Sequence, residues 1–135
     1  MTKTTHEVRH ITISVERAVA EVYAFVAEPS KLPLWASGLG DDFHRDGDDW
    51  RATGVLGTVR VRFCAKNDFG VVDHDVTLPS GAVTHNALRV LPNGQGSEVV
   101  FTIVRGDDVD DAAFAADAAH VRKDLEALKC LLEGG

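Results

Sequence analysis

Between Gly57 and Arg105 the chain runs through four stretches of alternating apolar and polar residues, each separated from the next by turn-forming residues. This pattern calls for an antiparallel meander. The strands read as Thr58–Lys66, Phe69–Leu78, Ala82–Leu91 and Ser97–Arg105. The turns read as Asn67-Asp68, Pro79-Ser80-Gly81 and a loop around Pro92-Asn93-Gly94-Gln95. Folding about the first turn sets Arg62 opposite Asp73, Arg60 opposite Asp75, Phe63 opposite Val72, Val61 opposite His74 and Val59 opposite Val76. A three-residue loop at Pro79 to Gly81 pairs His74 with Asn86 and Val76 with Thr84. Setting Arg89 opposite Glu98 pairs Leu88 with Val99 and Asn86 with Phe101. The apolar face then carries the rows Val59–Val76–Thr84–Ile103, Val61–His74–Asn86–Phe101 and Phe63–Val72–Leu88–Val99. The other face carries Arg60–Asp75–His85–Thr102 and Arg62–Asp73. A one-residue slip at the second hairpin would turn His85 and Arg89 inward. Burying Arg89 without a partner is costly, so the outward register is expected.

A sheet with one apolar face must cover it, and only one later segment can. Phe114, Ala118, Val121, Leu125, Leu128 and Leu132 fall within about 40° of one line at 100° per residue, which predicts a helix from Asp110 to Glu133. At roughly 24 residues it is about 36 Å long. Asp107 to Asp111 supply carboxylates to its N-terminus, and Gly134-Gly135 ends it. Upstream, Val8 to Val15 alternates as a strand whose core set is Ile11, Ile13 and Val15. Glu16 to Ala27 reads as a short helix with Val19, Val22, Tyr23 and Val26 on its apolar stripe, stopped before Pro29. A second short helix is expected from Ser30 to Ala36, with Ser30 as N-cap and Pro33 near its start. Phe43-His44-Arg45 reads as a strand turning at Asp46-Gly47 to a partner at Trp50 to Thr53. Gly54 and Gly57 bracket a break.

This order resembles the START-related helix-grip superfamily, the SRPBCC group that includes the polyketide cyclase/dehydrase and lipid-transport families. The resemblance covers nearly the whole chain. It is carried by His10-Ile11-Thr12-Ile13-Ser14-Val15, by Ala18 to Val26, by Leu32-Pro33-Leu34-Trp35, by Gly96 to Thr102 and by Asp124 to Lys129. It implies an α+β fold, a curved antiparallel sheet wrapped around a long C-terminal helix, with two short helices after the first strand. It also implies a cavity between sheet and helix that holds largely apolar molecules. It brings no shared catalytic motif that maps onto numbered positions.

The chain has 135 residues and a net charge of −7, with 44% hydrophobic and 26% charged residues. That length suits one domain spanning residues 1–135. The acidic balance argues against a nucleic-acid partner and against an anionic membrane surface. No apolar run approaches the roughly 20 residues of a membrane span, and residues 1–9 carry no secretory pattern. The two cysteines, Cys64 and Cys130, have no CxxC spacing and are expected as free thiols in a reducing cytoplasm. The six histidines show no HxH spacing, and no metal site and no cofactor is expected. No GxSxG or other nucleophile motif occurs. Gly94-Gln95-Gly96 is a hairpin turn rather than a phosphate loop.

The candidate site is therefore the apolar wall. His74 stands there beside Asn86 and would orient a ligand or move a proton. Tyr23, Trp35, Trp50, Phe63 and Phe101 supply rings suited to a flat apolar ligand, or else plain core packing. Asp117 and Asp124 flank the helix stripe as rim residues. The leading expectation is binding of a small hydrophobic or aromatic molecule by a monomer or homodimer. The alternatives are a polyketide cyclase/dehydratase-type enzyme with His74 as acid/base, and a protein-interaction module with a collapsed cavity, as in chaperone-activator-like relatives. Val83, Val100 and Val104 on the outer face offer a modest dimer patch.

Overall fold

Strand β1, Val8–Val15, keeps the expected boundaries, with Ile11 and Val15 buried and Val8 to His10 exposed. This computed structural model describes residues 4–54 and 57–134; the expected break at residues 55–56 and the final Gly135 lie outside them. Helix α1, Val19–Val26, is shorter than expected because Ala18 is extended, at φ −61° and ψ 148°. Its Val22 and Val26 are fully buried. A single 3-10 turn at Pro29–Lys31 then leads into the four-residue helix α2, Leu32–Trp35. The cap here is Glu28 rather than Ser30: its carboxylate accepts Ser30 N–H at 3.4 Å and Ser30 Oγ–H at 2.9 Å. Those bonds hold the Glu28 carboxyl below its usual range.

Strands β2, Asp41–Asp46, and β3, Asp49–Gly54, form the hairpin expected around Gly47. The meander follows as β4, Gly57–Phe63, β5, His74–Thr77, β6, Val83–Asn93, and β7, Gly96–Val104. All seven strands join one antiparallel sheet in the order β1-β7-β6-β5-β4-β3-β2. The last element is helix α3, Asp111–Gly134. Asp110 caps it, its Oδ1 accepting Ala113 N–H at 2.8 Å. Phe114, Leu125 and Leu128 are buried from its stripe, and the helix packs chiefly on β1.

The second hairpin has the predicted register, His74 opposite Asn86 and Val76 opposite Thr84. The other two are displaced by two residues. Phe63, not Val61, stands opposite His74, and Arg62 stands opposite Asp75. The reason lies in the β4–β5 connection, which is a broad loop rather than a tight turn at Asn67-Asp68. Asn67 organises it. Its Oδ1 accepts Phe69 N–H and Val71 N–H at 2.9 and 3.1 Å, and its Nδ2 donates to Ala65 and Val71 carbonyls. Gly70 lets this loop lie on β6, since at φ +73° an added Cβ would sit 2.1 Å from the Val90 carbonyl oxygen. The third hairpin is tighter than expected: Gly94, at φ +61°, and Gln95 form a two-residue turn, and Asn93 pairs Gly96. Leu88 therefore faces Phe101 and Arg89 faces Val100.

Both displacements are even, so every residue keeps its face while its partner changes. The outer ion pairs differ accordingly. Asp73 accepts Arg89 Nε–H and Nη2–H at 3.0 and 2.9 Å, while Arg62 donates to Asp49 at 2.6 Å. Arg89 lies outside, as its charge required. The guanidinium of Arg89 holds the Asp73 carboxyl below its ordinary range, helped by the Leu88 N–H.

Candidate functional site

Strand β6 does two jobs. Its first half, Val83–Asn86, pairs with β5, and its second half, Ala87–Asn93, pairs with β7. The β6–β7 ladder begins at Ala87 opposite Thr102, while Val104 and Ile103 of β7 pair only with Val8 and Arg9 of β1. The sheet thus opens between the start of β6 and the end of β7. A cleft of about 760 Å³ occupies this opening and continues beneath α3. Val83 to Asn86 line one side and Ile103 to Gly106 the other. Trp35 and Leu32 of α2, and Phe114, Val121 and Leu125 of α3, close it from the helical side. The sheet alone would bury an apolar face continuously; the split is what leaves a space instead of a packed core.

His74 stands on the sheet wall of this cleft and is only 6% exposed. Its Nδ1 lies 3.1 Å from the Val72 carbonyl oxygen. A carbonyl only accepts, so in the neutral ring the proton sits on Nδ1 and Nε2 is an acceptor. The Asn86 amide donates to that Nε2 at 3.4 Å, a long bond that leaves the lone pair weakly engaged. Phe63 stacks on the imidazole with centroids 4.9 Å apart, and Phe101 meets it edge-on at 6.4 Å. Burial among these rings pushes the His74 pKa below its ordinary value, against the pull of the Val72 carbonyl and the Asp73 charge. His74 is therefore neutral near pH 7 and presents a basic nitrogen beside Asn86, whose Oδ1 has no partner among the described residues.

Of the residues singled out from the sequence, Trp35, His74, Asn86 and Phe101 line the cleft. Tyr23, Trp50 and Phe63 do not. Tyr23 holds the β4–β5 loop, its hydroxyl accepting Asn67 N–H at 2.9 Å. Trp50 stacks on Phe43 in the β2–β3 hairpin, with centroids 5.2 Å apart. Phe63 backs His74. His44 lies elsewhere and bonds the Asp42 carbonyl, while exposed His85 borders the cleft and its Nδ1 contacts Asp75 at 2.6 Å. That contact raises the His85 pKa. Among the described residues no group of three or more His, Cys, Asp and Glu is placed to hold a metal, and no helix is long and apolar enough to cross a membrane.

The helical wall holds a second polar group that sequence reading placed at the rim. Asp124 is buried, not solvated. Its Oδ1 accepts Ser37 N–H at 3.2 Å and Ser37 Oγ–H at 2.7 Å, and its Oδ2 lies 3.4 Å from His120 Nε2. The same His120 nitrogen donates to the Ser37 carbonyl at 3.0 Å. The cluster ties the end of α2 to α3. His120 and Asp124 are four residues apart on one helix face, and that spacing was the only sequence signal; Ser37 gave none. Trp35, two residues before Ser37, has a buried indole Nε1–H without an acceptor among the described residues.

No protein-family model matches the chain, and no curated protein sequence matches it. Solved structures do. The Aha1 dimer from Colwellia psychrerythraea superimposes with a TM-score of 0.73 at 15% identity, over 94% of this chain and 96% of that one. DynU16, from the dynemicin biosynthetic locus, gives 0.68 at 16% identity, over 93% of this chain and 47% of that one. Ara h 8.0201 gives 0.65 at 11% identity, over 96% and 99%. Together with the seven-stranded sheet and the long C-terminal helix, these likenesses show that the chain has the helix-grip fold.

Proposed function

We propose that this helix-grip chain binds a small hydrophobic or aromatic molecule in the cleft between its sheet and α3. The observation that carries the reading is the cleft itself. About 760 Å³ lies within the range of roughly 300–1,000 Å³ usual for ligand sites. Trp35 and Phe101 supply flat apolar walls, and His74 with Asn86 supplies a polar handle. The Nε2 lone pair, held only by the long Asn86 bond, suits a ligand hydroxyl that donates. A cleft of this size weighs against the collapsed-cavity reading. The test is native mass spectrometry of the protein purified from its own host, where a co-purified molecule should be released on denaturation. His74→Ala should then weaken binding of that molecule about tenfold, by losing one hydrogen bond and one ring contact.

A second reading is favoured by the protonation of His74. A buried imidazole that is neutral at pH 7 is a competent base, and a proton-moving enzyme of the cyclase or dehydratase type would use it so. In that case His74→Ala would bind nearly normally and lose turnover. Our reading places the chain in the cytoplasm, where exposed Cys64 and Cys130 would stay reduced, as a monomer or homodimer.

A further inference from the structure

Two walls of the cleft carry buried polar groups of opposite hydrogen-bonding sense. On the helical wall stands Trp35, 5% exposed, whose indole Nε1–H has no acceptor among the described residues. An indole nitrogen only donates, so nothing but an acceptor can satisfy it. Acceptors near it in the chain are in use: the Leu32 carbonyl takes Ala36 N–H at 2.9 Å, and the Ser37 carbonyl takes His120 Nε2–H at 3.0 Å. Asp124, on α3, is bonded by Ser37 and lies against His120. A buried donor left unpaired loses its hydration without return, and folded proteins keep few of them.

On the sheet wall the sense is reversed. His74 is 6% exposed and keeps its proton on Nδ1, against the Val72 carbonyl, so Nε2 is an acceptor. Only the Asn86 amide reaches that nitrogen, at 3.4 Å, and Asn86 Oδ1 is a second acceptor without a partner among the described residues. Val76, Phe101 and Leu125 are among the apolar side chains that line the same space. A purely apolar molecule would fill the cleft and leave both polar groups as they were. A hydroxyl answers His74; Trp35, on the other wall, calls for a separate oxygen.

We propose that the cleft takes an aromatic molecule carrying two oxygens, a carbonyl that accepts from the Trp35 indole N–H and a hydroxyl that donates to His74 Nε2. The inference rests on the reading of the cleft as a small-molecule site and adds the chemical class it takes, a hydroxylated aromatic ketone. Trp35 is then a specificity residue as well as a wall. A hydrogen bond made in a buried, apolar setting is strengthened by the low local dielectric. A site whose buried polar group expects a partner discriminates against the analogue that lacks it.

Equilibrium dialysis of the full chain at pH 7 compares probes of one tricyclic outline: fluorene, 9-fluorenone, 2-hydroxyfluorene and the hydroxy-9-fluorenone isomers. The ketone should bind about five- to tenfold tighter than fluorene, and so should the phenol. The best hydroxy-ketone isomer should exceed both. Trp35→Phe, which keeps a ring and removes the N–H, should erase the ketone's advantage and leave the phenol's. His74→Phe should do the reverse. The advantage that survives in each variant shows that the cleft is still formed. If Trp35→Phe weakens every probe alike, Trp35 only packs and the inference fails. A ketone that binds no tighter than fluorene in the unaltered chain also overturns it, while binding of fluorene itself leaves the pocket reading standing. A phenol advantage that survives His74→Phe overturns the role given to His74. Binding of none of the probes would overturn the pocket reading and this inference with it.

Discussion

The imidazole of His74 lies against the ring of Phe63, with centroids 4.9 Å apart and planes inclined by 24°. The pair faces each other directly across β4 and β5. Burial, to which this ring contributes, lowers the His74 pKa and keeps it uncharged near pH 7. In the unfolded chain His74 regains an ordinary value near 6.5. As pH falls below about 6.5 the unfolded chain takes up a proton that the folded chain refuses, so stability is lost on acidification.

The slope from this one group should approach at most about 1.4 kcal/mol per pH unit. Urea unfolding at pH 7.5 and 5.5 should show the loss, and His74→Gln should flatten it. His85 works in the opposite sense: its raised pKa adds stability that fades as pH rises, but the group is largely exposed and its effect small. An NMR titration in which His74 gains its proton at or above pH 6.5 would refute the assignment.

Gly70→Ala should be among the most damaging substitutions in the chain. The added methyl would meet the Val90 carbonyl at 2.1 Å from a backbone at φ +73°. A cost of about 2–4 kcal/mol is expected, read as a fall in the urea midpoint. A loss under about 1 kcal/mol would mean that the loop simply lifts off β6.

Tyr23→Phe removes only the hydroxyl that receives Asn67 N–H. The expected cost is about 0.5–1.5 kcal/mol. The sharper readout is hydrogen exchange, which should accelerate at Asn67 and across the β4–β5 loop while β1 and α3 stay protected.

Asp73→Ala should cost about 1–2 kcal/mol at pH 7, because it strips both Arg89 and the Leu88 N–H of their acceptor. The Asp73 pKa is lowered in the fold, so its contribution is present above about pH 4 and lost as pH falls through the folded value. Wild type and variant should therefore converge in strongly acidic buffer. A difference that persists at pH 2 would assign the effect to packing instead.

Asp124→Ala should loosen the junction between α2 and α3, since Ser37 loses both bonds to its carboxylate. We expect about 1–3 kcal/mol and a more exposed Trp35, seen as a red shift in tryptophan emission. An unshifted spectrum would show that apolar contacts alone hold α2 in place.

Much of the architecture is legible in the residues because alternation has a period of two. It set β1 to the residue, put His74 and Asn86 side by side, and sent Arg89 and His85 outward. The α3 stripe was equally plain, with Phe114, Leu125 and Leu128 buried as its angles required. Less legible were the ring assignments. Tyr23, Trp50 and Phe63 are each half-buried near the core, and nothing local says whether a ring walls a cleft, staples a loop or backs a histidine. Asp124 misled for a related reason: its burial comes from Ser37, 87 positions away.

The sequence by itself determined which face each strand residue occupies, the helix that covers the sheet, and the pairing of His74 with Asn86. The tertiary structure decided the register of the other two hairpins, and through it the Phe63–His74 stack and the Asp73–Arg89 pair. It also decided where the sheet parts between β6 and β7. Faces survive any even slip, so pattern fixes them. Partners do not survive it. They depend on how tightly Gly94 turns and on how Asn67 folds its loop, which Tyr23 and Val90 hold from far along the chain.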